Sequence, residues 1–378
     1  MIPQERSIST KQFVLLTFIL TTAGKCFALP LAMLKIGGRS AWIPFVVFLL
    51  ADLCAFGMLL AVSALHPNKT AFELMEDRLG KIPAKIILFF VVLYLTAKVL
   101  LLVFNLGSFI CADLFEELSL SVVLIPLVCL LVAFGVQSLR AIGRTAEILI
   151  YIFLAALALI LFLLYGSANF MRMLPLFSDS EGNIVHSFMH FSLDFGDFAV
   201  FFIVLGQIKR NKHTALTVGI TAVIAALIVL FYAVLVFSAY ADVRHIIDIQ
   251  KAGILTQTSI ARFSAGRFDK IAYTVLAAGI ILSLAMMFHA AVHSTQYVFG
   301  TKRLVVPSVI LAVFVYILAV FLDQNIVYDF RVRVEIYFAP LFSIGFPLLL
   351  LILAIHKKRT EKTKRRISGT KQKAEAQP

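Results

Sequence analysis

Charge is scarce in this chain of 378 residues. Only 15% of the residues are charged, whereas a soluble domain carries roughly 25%. Acidic residues are the scarcer sign, with 21 Asp and Glu against 34 Lys and Arg, and the chain has a single Trp. Because 61% of the residues are hydrophobic, an ordinary soluble domain is excluded and the chain requires lipid as its solvent.

Cysteines and catalytic motifs are also sparse. No CxxC pair occurs, and all the cysteines fall inside or at the edge of apolar runs, which predicts neither a disulfide nor a metal site. These residues are Cys26, Cys54, Cys111 and Cys129. The sequence shows no catalytic constellation or phosphate-binding loop, so we expect no enzyme activity, no cofactor and no metal. Nine of the 34 basic residues lie in the last 22 residues, which argues for a membrane flank and against a nucleic-acid partner.

Apolar runs of roughly 20 residues, the length that crosses a bilayer as a helix, recur along the chain. We number them spans 1 to 10: Gln12–Leu34, Ala41–Leu65, Pro83–Ala112, Leu120–Val136, Ile142–Tyr165, Ile184–Ile208, Thr214–Ser238, Ile271–Tyr297, Leu304–Leu322 and Ile336–Ile355. The predicted fold class is therefore an all-α integral membrane protein of about ten transmembrane helices, over residues 1–356. A basic cytoplasmic tail, expected to lie near anionic lipid headgroups, occupies 357–378.

The distribution of basic residues predicts the orientation. With the N-terminus in the cytoplasm, the inner segments collect 22 of the 34 Lys and Arg residues and the outer segments collect ten. The positive-inside rule therefore places both termini in the cytoplasm. The outer connection Tyr240–Arg267 is interpreted either as an interfacial amphipathic helix or as a solvated loop packed on the bundle.

Two spans contain signals for a helix break at membrane depth. In span 1, Lys25 follows the small residues Ala23 and Gly24 and precedes Pro30. In span 6, Gly196 lies between Asp194 and Asp197. If the chain is two five-helix repeats, about 12–165 and 184–356, these breaks occupy equivalent positions. Interrupted helices at matching positions indicate a midplane binding site, and the exposed helix ends suit a zwitterionic amino acid.

The intramembrane charges allow several interpretations. We expect Lys25 to pair with Asp194 or Asp197 across the empty site, where the amine and carboxylate of a ligand could replace that pair. Alternatively, the pair is permanent and structural, or Lys25 extends to a membrane face. Asp52 and Lys98 could pair with each other. On span 8, His289 and His293 are interpreted as structural hydrogen-bonding groups or as part of a proton path.

Several short motifs, taken in their order along the chain, resemble those of the spore germination permease family, the B subunits of nutrient germinant receptors. They are Ile8–Phe13, Gly24–Pro30, Ala41–Ile43, His66-Pro67, Leu79–Lys81, Leu174-Pro175, Phe195–Asp197 and Arg267–Asp269.

The resemblance implies a LeuT-like fold of the amino acid, polyamine and organocation (APC) transporter superfamily, with a five-plus-five inverted repeat and broken helices 1 and 6. It also implies a subunit of the inner spore membrane that binds a germinant, often an amino acid, and triggers spore germination. An A-type subunit and a lipoprotein C-type subunit are the implied partners. A proton-coupled amino-acid transporter of the same fold is the alternative. The expected ligand-binding residues, including the charges found above, are Thr22, Ala23, Gly24, Lys25, Asp194, Phe195, Gly196 and Asp197.

Overall fold

A computed structural model of the protein describes residues 8–27, 29–67, 69–111, 118–166, 168–173, 181–191, 194–208, 213–240, 268–321 and 338–356. The predicted interfacial segment within 241–267, the motif at Leu174-Pro175, Arg267 and the basic tail 357–378 lie outside these residues.

The described chain is all-α. Its α-helices are α1 (Thr10–Thr22), α2 (Leu29–Gly37), α3 (Trp42–Leu65), α4 (Ala71–Leu79), α5 (Lys81–Phe109), α6 (Leu120–Val136), α7 (Leu139–Tyr165), α8 (Glu181–His190), α9 (Thr214–Tyr240), α10 (Phe268–Phe299), α11 (Val305–Phe321) and α12 (Leu341–His356). Shorter 3-10 segments are Gly38–Ala41, Phe170–Met173 and Asp197–Val204, and α12 begins with the π-helical turn Leu341–Gly345.

The described parts of all ten predicted spans are largely helical, and those of spans 1 and 6 are interrupted. Five helices in the described chain are long and apolar enough to cross a membrane alone: Gly38–Leu65, Lys81–Phe109, Leu139–Tyr165, Thr214–Tyr240 and Ile271–Phe299. Many of their exposed side chains are large and apolar, such as Leu227 and Phe231 on α9. The prediction of an all-α, multi-pass membrane protein is confirmed.

The helix α10 lies near the centre of the bundle. It packs most extensively against α5 and α7, and α1 packs between α7 and α9. The α1 helix begins with a capping box in which the Ser9 hydroxyl accepts the N–H of Gln12 at 3.2 Å and the Gln12 side chain accepts the N–H of Ser9 at 3.1 Å. This packing places the C-terminal end of α1 inside the bundle, where it meets span 6.

The N-terminal end of α1 is tied to the end of span 6. The Ile8 N–H donates to the Gln207 carbonyl at 2.9 Å, and the hydroxyls of Thr10 and Thr214 lie 3.0 Å apart. In the same region the short helix α4 packs beside α10, where the Tyr297 hydroxyl donates to the Glu76 carboxylate at 2.6 Å.

Candidate functional site

Span 1 is interrupted where the sequence predicts it. The α1 helix ends at Thr22, residues 23–27 form turns, and α2 begins at Leu29. Pro30 occupies the first turn of α2, a position where its missing N–H is not needed by the helix. The interruption places Lys25 inside the bundle, with its side chain fully buried.

Span 6 is interrupted more sharply. The α8 helix ends at His190, and the chain resumes as the buried 3-10 segment Asp197–Val204. Gly196, between them, adopts the left-handed conformation with φ of 81°, which glycine tolerates without strain. A Cβ atom at this position would lie 2.6 Å from both the Ser343 Cβ and the Tyr94 hydroxyl oxygen, so a side chain is excluded by contact as well.

Two charged side chains from other helices form hydrogen bonds with backbone groups that the helix leaves unpaired at this break. The Asp52 carboxylate on α3 accepts the N–H of Gly196. The Lys98 ammonium on α5 donates to the Phe195 carbonyl at 2.7 Å. A backbone group without a partner at membrane depth costs several kcal/mol, so these two bonds help to explain why a charge lies within each of these apolar stretches of α3 and α5.

The same two side chains join Lys25 and Asp197 in one buried cluster, called here the charge cluster. Its contacts run in the order Asp52, Lys25, Asp197, Lys98, and the sign alternates at each step. Lys25 Nζ lies 3.1 Å from Asp52 Oδ2 and forms an ion pair with Asp197 Oδ2. Asp197 Oδ1 lies 2.7 Å from Lys98 Nζ. With two cations and two anions, the cluster has no formal net charge.

Aromatic rings surround the charge cluster. Lys25 Nζ lies 5.4 Å from the centroid of the Phe195 ring, within the range of a cation–π contact. That ring stacks on Phe48 at 5.1 Å and meets Phe45 edge-on at 5.6 Å. Lys98 Nζ lies 5.9 Å from the ring centroid of Tyr94. This apolar wall excludes water, and the four charges therefore depend on one another for their stabilisation.

The predicted pair across the two breaks is present, and its carboxylate is Asp197. Asp194 is only partly buried and lies outside the charge cluster. The alternative in which Lys25 extends to a membrane face is wrong, because its exposed fraction is 0% and both of its carboxylate partners are internal. The suggested mutual pair of Asp52 and Lys98 is also wrong, since each contacts a member of the central pair instead.

The other predicted site residues lie around the first break. Ala23 is fully buried, Gly24 is partly buried, and the Thr22 hydroxyl is engaged with the Phe18 carbonyl at 2.8 Å. Phe195 places its ring beside the Lys25 ammonium, and Gly196 donates its N–H to Asp52. Whether these residues bind a ligand stays a prediction.

Sequence reasoning missed two contributors to this region, Tyr94 and Ser343. Both flank Gly196, and Tyr94 is 3% exposed with a hydroxyl that has no hydrogen-bond partner among the described groups. Neither residue carries a charge or a helix-breaking signal. The π-helical turn that contains Ser343 is a feature common at functional sites, but it has no sequence signature.

The two histidines of α10 form a separate contact. The ring centroids of His289 and His293 lie 4.2 Å apart, and His289 is 3% exposed. In the described part of the chain, no three His, Cys, Asp or Glu side chains are grouped closely enough to hold a metal ion.

Fold and site together define a multi-pass, all-α membrane protein whose spans 1 and 6 are interrupted around a buried cluster of alternating charges. A family model described as spore germination protein matches residues 7–327, and the chain belongs to this family of spore germination permeases. Spore germination protein KB of Bacillus subtilis (strain 168) is 22% identical over 371 residues, which cover 96% of this chain and 98% of that protein. The resemblance seen in the short motifs is thus confirmed over most of the chain.

Proposed function

We propose that this protein is the membrane subunit of a spore germinant receptor and that it binds an amino acid between the breaks of spans 1 and 6. The observation that supports this most is the central pair of the charge cluster, Lys25 and Asp197. Each member lies at one of the two breaks, the place where interrupted membrane helices bind small ligands. Membership of the spore germination family supplies the physiological context.

The chemistry of the charge cluster favours a zwitterion over a singly charged ligand. An α-amine can take the place of the Lys25 ammonium beside Asp197, while an α-carboxylate takes the place of Asp197 beside Lys25. The total formal charge of the buried region then stays at zero. A ligand with one charge would leave an uncompensated charge in an apolar environment, which costs several kcal/mol.

Asp52 and Lys98 have a different role in this proposal. Because they hold the Gly196 N–H and the Phe195 carbonyl, they keep the break of span 6 in place when the central pair opens. Binding then shifts the protein between a closed, internally paired state and a liganded state, and this shift is the signal for germination.

In this proposal the protein acts with an A-type subunit and a lipoprotein C-type subunit in the inner spore membrane, with both termini in the cytoplasm. Membrane lipid is its solvent and the germinant is its only small-molecule partner. Immunoblots of membrane fractions from dormant spores would show whether the protein is in the inner spore membrane. Co-purification from those fractions would identify the partner subunits.

The experiment is a germination dose response of spores that carry Lys25→Ala or Asp197→Asn. We expect both variants to be less stable than the wild type but still to reach the spore membrane, as immunoblots would show, and to lose the response to L-amino acids. Lys69→Ala is the matched control, because Lys69 also pairs with an aspartate, Asp77, but at the exposed surface. A normal dose response in both site variants would show that the ligand binds elsewhere.

A proton-coupled amino-acid transporter is the second candidate, favoured by the same interrupted helices. The purified protein in liposomes separates the two functions. Accumulation of labelled amino acids driven by a proton gradient supports the transporter. Binding without accumulation supports the receptor.

A further inference from the structure

The hydroxyl of Tyr94 is a hydrogen-bonding group that the protein itself does not use. Tyr94 lies on α5, four residues before Lys98, and is 3% exposed. No described group forms a hydrogen bond with its hydroxyl. A buried hydroxyl without a partner is unfavourable, and in a native structure it indicates a water or a ligand that completes it.

Packing fixes the place of this hydroxyl. The Tyr94 ring stacks on Phe342 of α12 with the ring centroids 5.5 Å apart, and the Lys98 ammonium lies 5.9 Å from its centroid. The hydroxyl reaches the break of span 6, because a Cβ atom added to Gly196 would lie 2.6 Å from the hydroxyl oxygen. The missing side chain of Gly196 therefore leaves the hydroxyl beside bare backbone, one residue before Asp197.

The other polar groups described at this break are already engaged. The Gly196 N–H donates to Asp52, and the Phe195 carbonyl accepts from Lys98. The four charges of the cluster also contact one another. The Tyr94 hydroxyl is thus available for a further hydrogen bond without the loss of an existing one.

The most accessible member of the charge cluster is next to this hydroxyl. The Asp197 side chain is 10% exposed, whereas the Lys25 side chain is 1% exposed. The room left at the cluster therefore lies beside Asp197, which directly follows the glycine that Tyr94 contacts.

We infer that Tyr94 is a ligand-binding residue whose hydroxyl donates a hydrogen bond to an oxygen of the bound amino acid. This inference rests on the proposed function, in which the α-amine and the α-carboxylate replace the central pair of the charge cluster. A carboxylate in the place of Asp197 lies next to Gly196, and an oxygen of a side chain that extends toward α5 lies there as well. In either case the ligand completes a hydroxyl that is unsatisfied in the empty protein, and span 3 joins spans 1 and 6 in the site.

The test uses Tyr94→Phe, which keeps the ring and removes only the hydroxyl. The standard L-amino acids are screened against the purified full-length protein, and calorimetry gives the affinity of each that binds. Without ligand, the variant should unfold at the wild-type temperature or slightly above it, because the lost hydroxyl had no partner. Its affinity for the tightest-binding amino acid should fall about 5- to 100-fold, as expected for hydrogen bonds to neutral or charged acceptors.

Tyr297→Phe is the matched control with the opposite expectation. The Tyr297 hydroxyl donates to the Glu76 carboxylate at 2.6 Å, so its partner belongs to the protein. This variant should unfold at a lower temperature than the wild type and bind amino acids with unchanged affinity.

Near-isosteric ligands identify the oxygen that Tyr94 contacts. L-valine is compared with L-threonine, and L-leucine with L-asparagine. An equal loss of affinity for both members of a pair assigns the contact to the α-carboxylate, and a loss confined to the polar member assigns it to the side chain.

Two results would overturn the inference and leave the proposed function standing. One is an unchanged affinity of Tyr94→Phe for every amino acid that binds. The other is a lower unfolding temperature of the ligand-free variant, which would show that the hydroxyl serves the structure. Failure of the wild type to bind any L-amino acid would instead reject the proposed function.

Discussion

The ammonium of Lys25 and the carboxylate of Asp197 form a buried ion pair between residues 172 positions apart in the sequence. Each of them lies at the interruption of a membrane span, so the pair links the two breaks directly. Asp52 and Lys98 flank the pair and bind the backbone at the second break. The charged side chains thus stabilise the irregular backbone by hydrogen bonds and one another by ion pairs.

Lys25→Met should strongly destabilise the protein. The substitution leaves two buried carboxylates with one cation, and breaking a buried pair in this way costs about 3–5 kcal/mol. Thermal unfolding of the detergent-solubilised protein measures the loss. Adding Asp52→Asn should recover part of it, because the amide oxygen can still accept the Gly196 N–H while the formal charge returns to zero.

An exposed pair provides the contrast for this prediction. Lys69 Nζ lies 2.5 Å from Asp77 Oδ2, and the two side chains are 39% and 42% exposed. Such surface ion pairs contribute about 0–1 kcal/mol to the free energy of unfolding. Lys69→Met should therefore leave the unfolding temperature nearly unchanged. If the double variant Lys25→Met with Asp52→Asn were no more stable than Lys25→Met alone, charge balance would not govern the stability of the cluster.

The sequence predicted the helix breaks of spans 1 and 6 well, but it predicted the partners of the buried charges only in part. Gly24, Pro30 and Gly196 are local signals, because each restricts or frees the backbone at its own position. The partners of Asp52 and Lys98 were not predictable in this way. Both side chains bind backbone groups of a distant span, and such contacts depend on how the helices pack.

Gly196→Ala should be poorly tolerated. The left-handed φ of 81° costs an L-residue about 1 kcal/mol, and the new Cβ would lie 2.6 Å from both the Ser343 Cβ and the Tyr94 hydroxyl. We expect a loss of about 2–4 kcal/mol in unfolding free energy, within the range of overpacked sites. The measurement is thermal unfolding together with the yield of folded protein.

Gly57→Ala is the matched control for this substitution. Gly57 lies within α3, and a Cβ added there would meet no atom within 4 Å. Alanine in a helix interior is more favourable than glycine by about 0.5–1 kcal/mol, so this variant should be as stable as the wild type or slightly more stable. Equal stability of the two variants would show that Gly196 is not constrained as described.

Tyr297→Phe should loosen the α4 helix without affecting the charge cluster. Tyr297 stacks on Phe72 at 5.1 Å and donates a hydrogen bond to Glu76, so its hydroxyl is one of the contacts that hold α4 to α10. Removing a hydrogen bond to a carboxylate costs about 1.5–3 kcal/mol. Hydrogen exchange should become faster over residues 71–79 and stay unchanged around Lys25. Unchanged exchange in α4 would mean that other contacts dominate its attachment.

Exchanging the two central charges should fail to restore a functional protein, although it restores an ion pair. With Lys25→Asp and Asp197→Lys together, a carboxylate at position 25 lies beside Asp52 and an ammonium at position 197 lies beside Lys98. Two like-charge contacts thus replace two attractive ones, and the cluster loses its alternation of sign. We expect the exchanged variant to be no more stable than Lys25→Met and to show no ligand response.

Inverting all four charges should not rescue the protein either, because the backbone of span 6 fixes their polarity. The side chain at position 52 must accept the Gly196 N–H, and the side chain at position 98 must donate to the Phe195 carbonyl. An ammonium at position 52 and a carboxylate at position 98 would each meet a backbone group of the wrong kind. Unfolding temperatures of the double and quadruple variants measure this directly. Recovery of either variant to within about 1 kcal/mol of the wild type, the scale of one net hydrogen bond, would show that pairing alone, and not the backbone, sets the order of the charges.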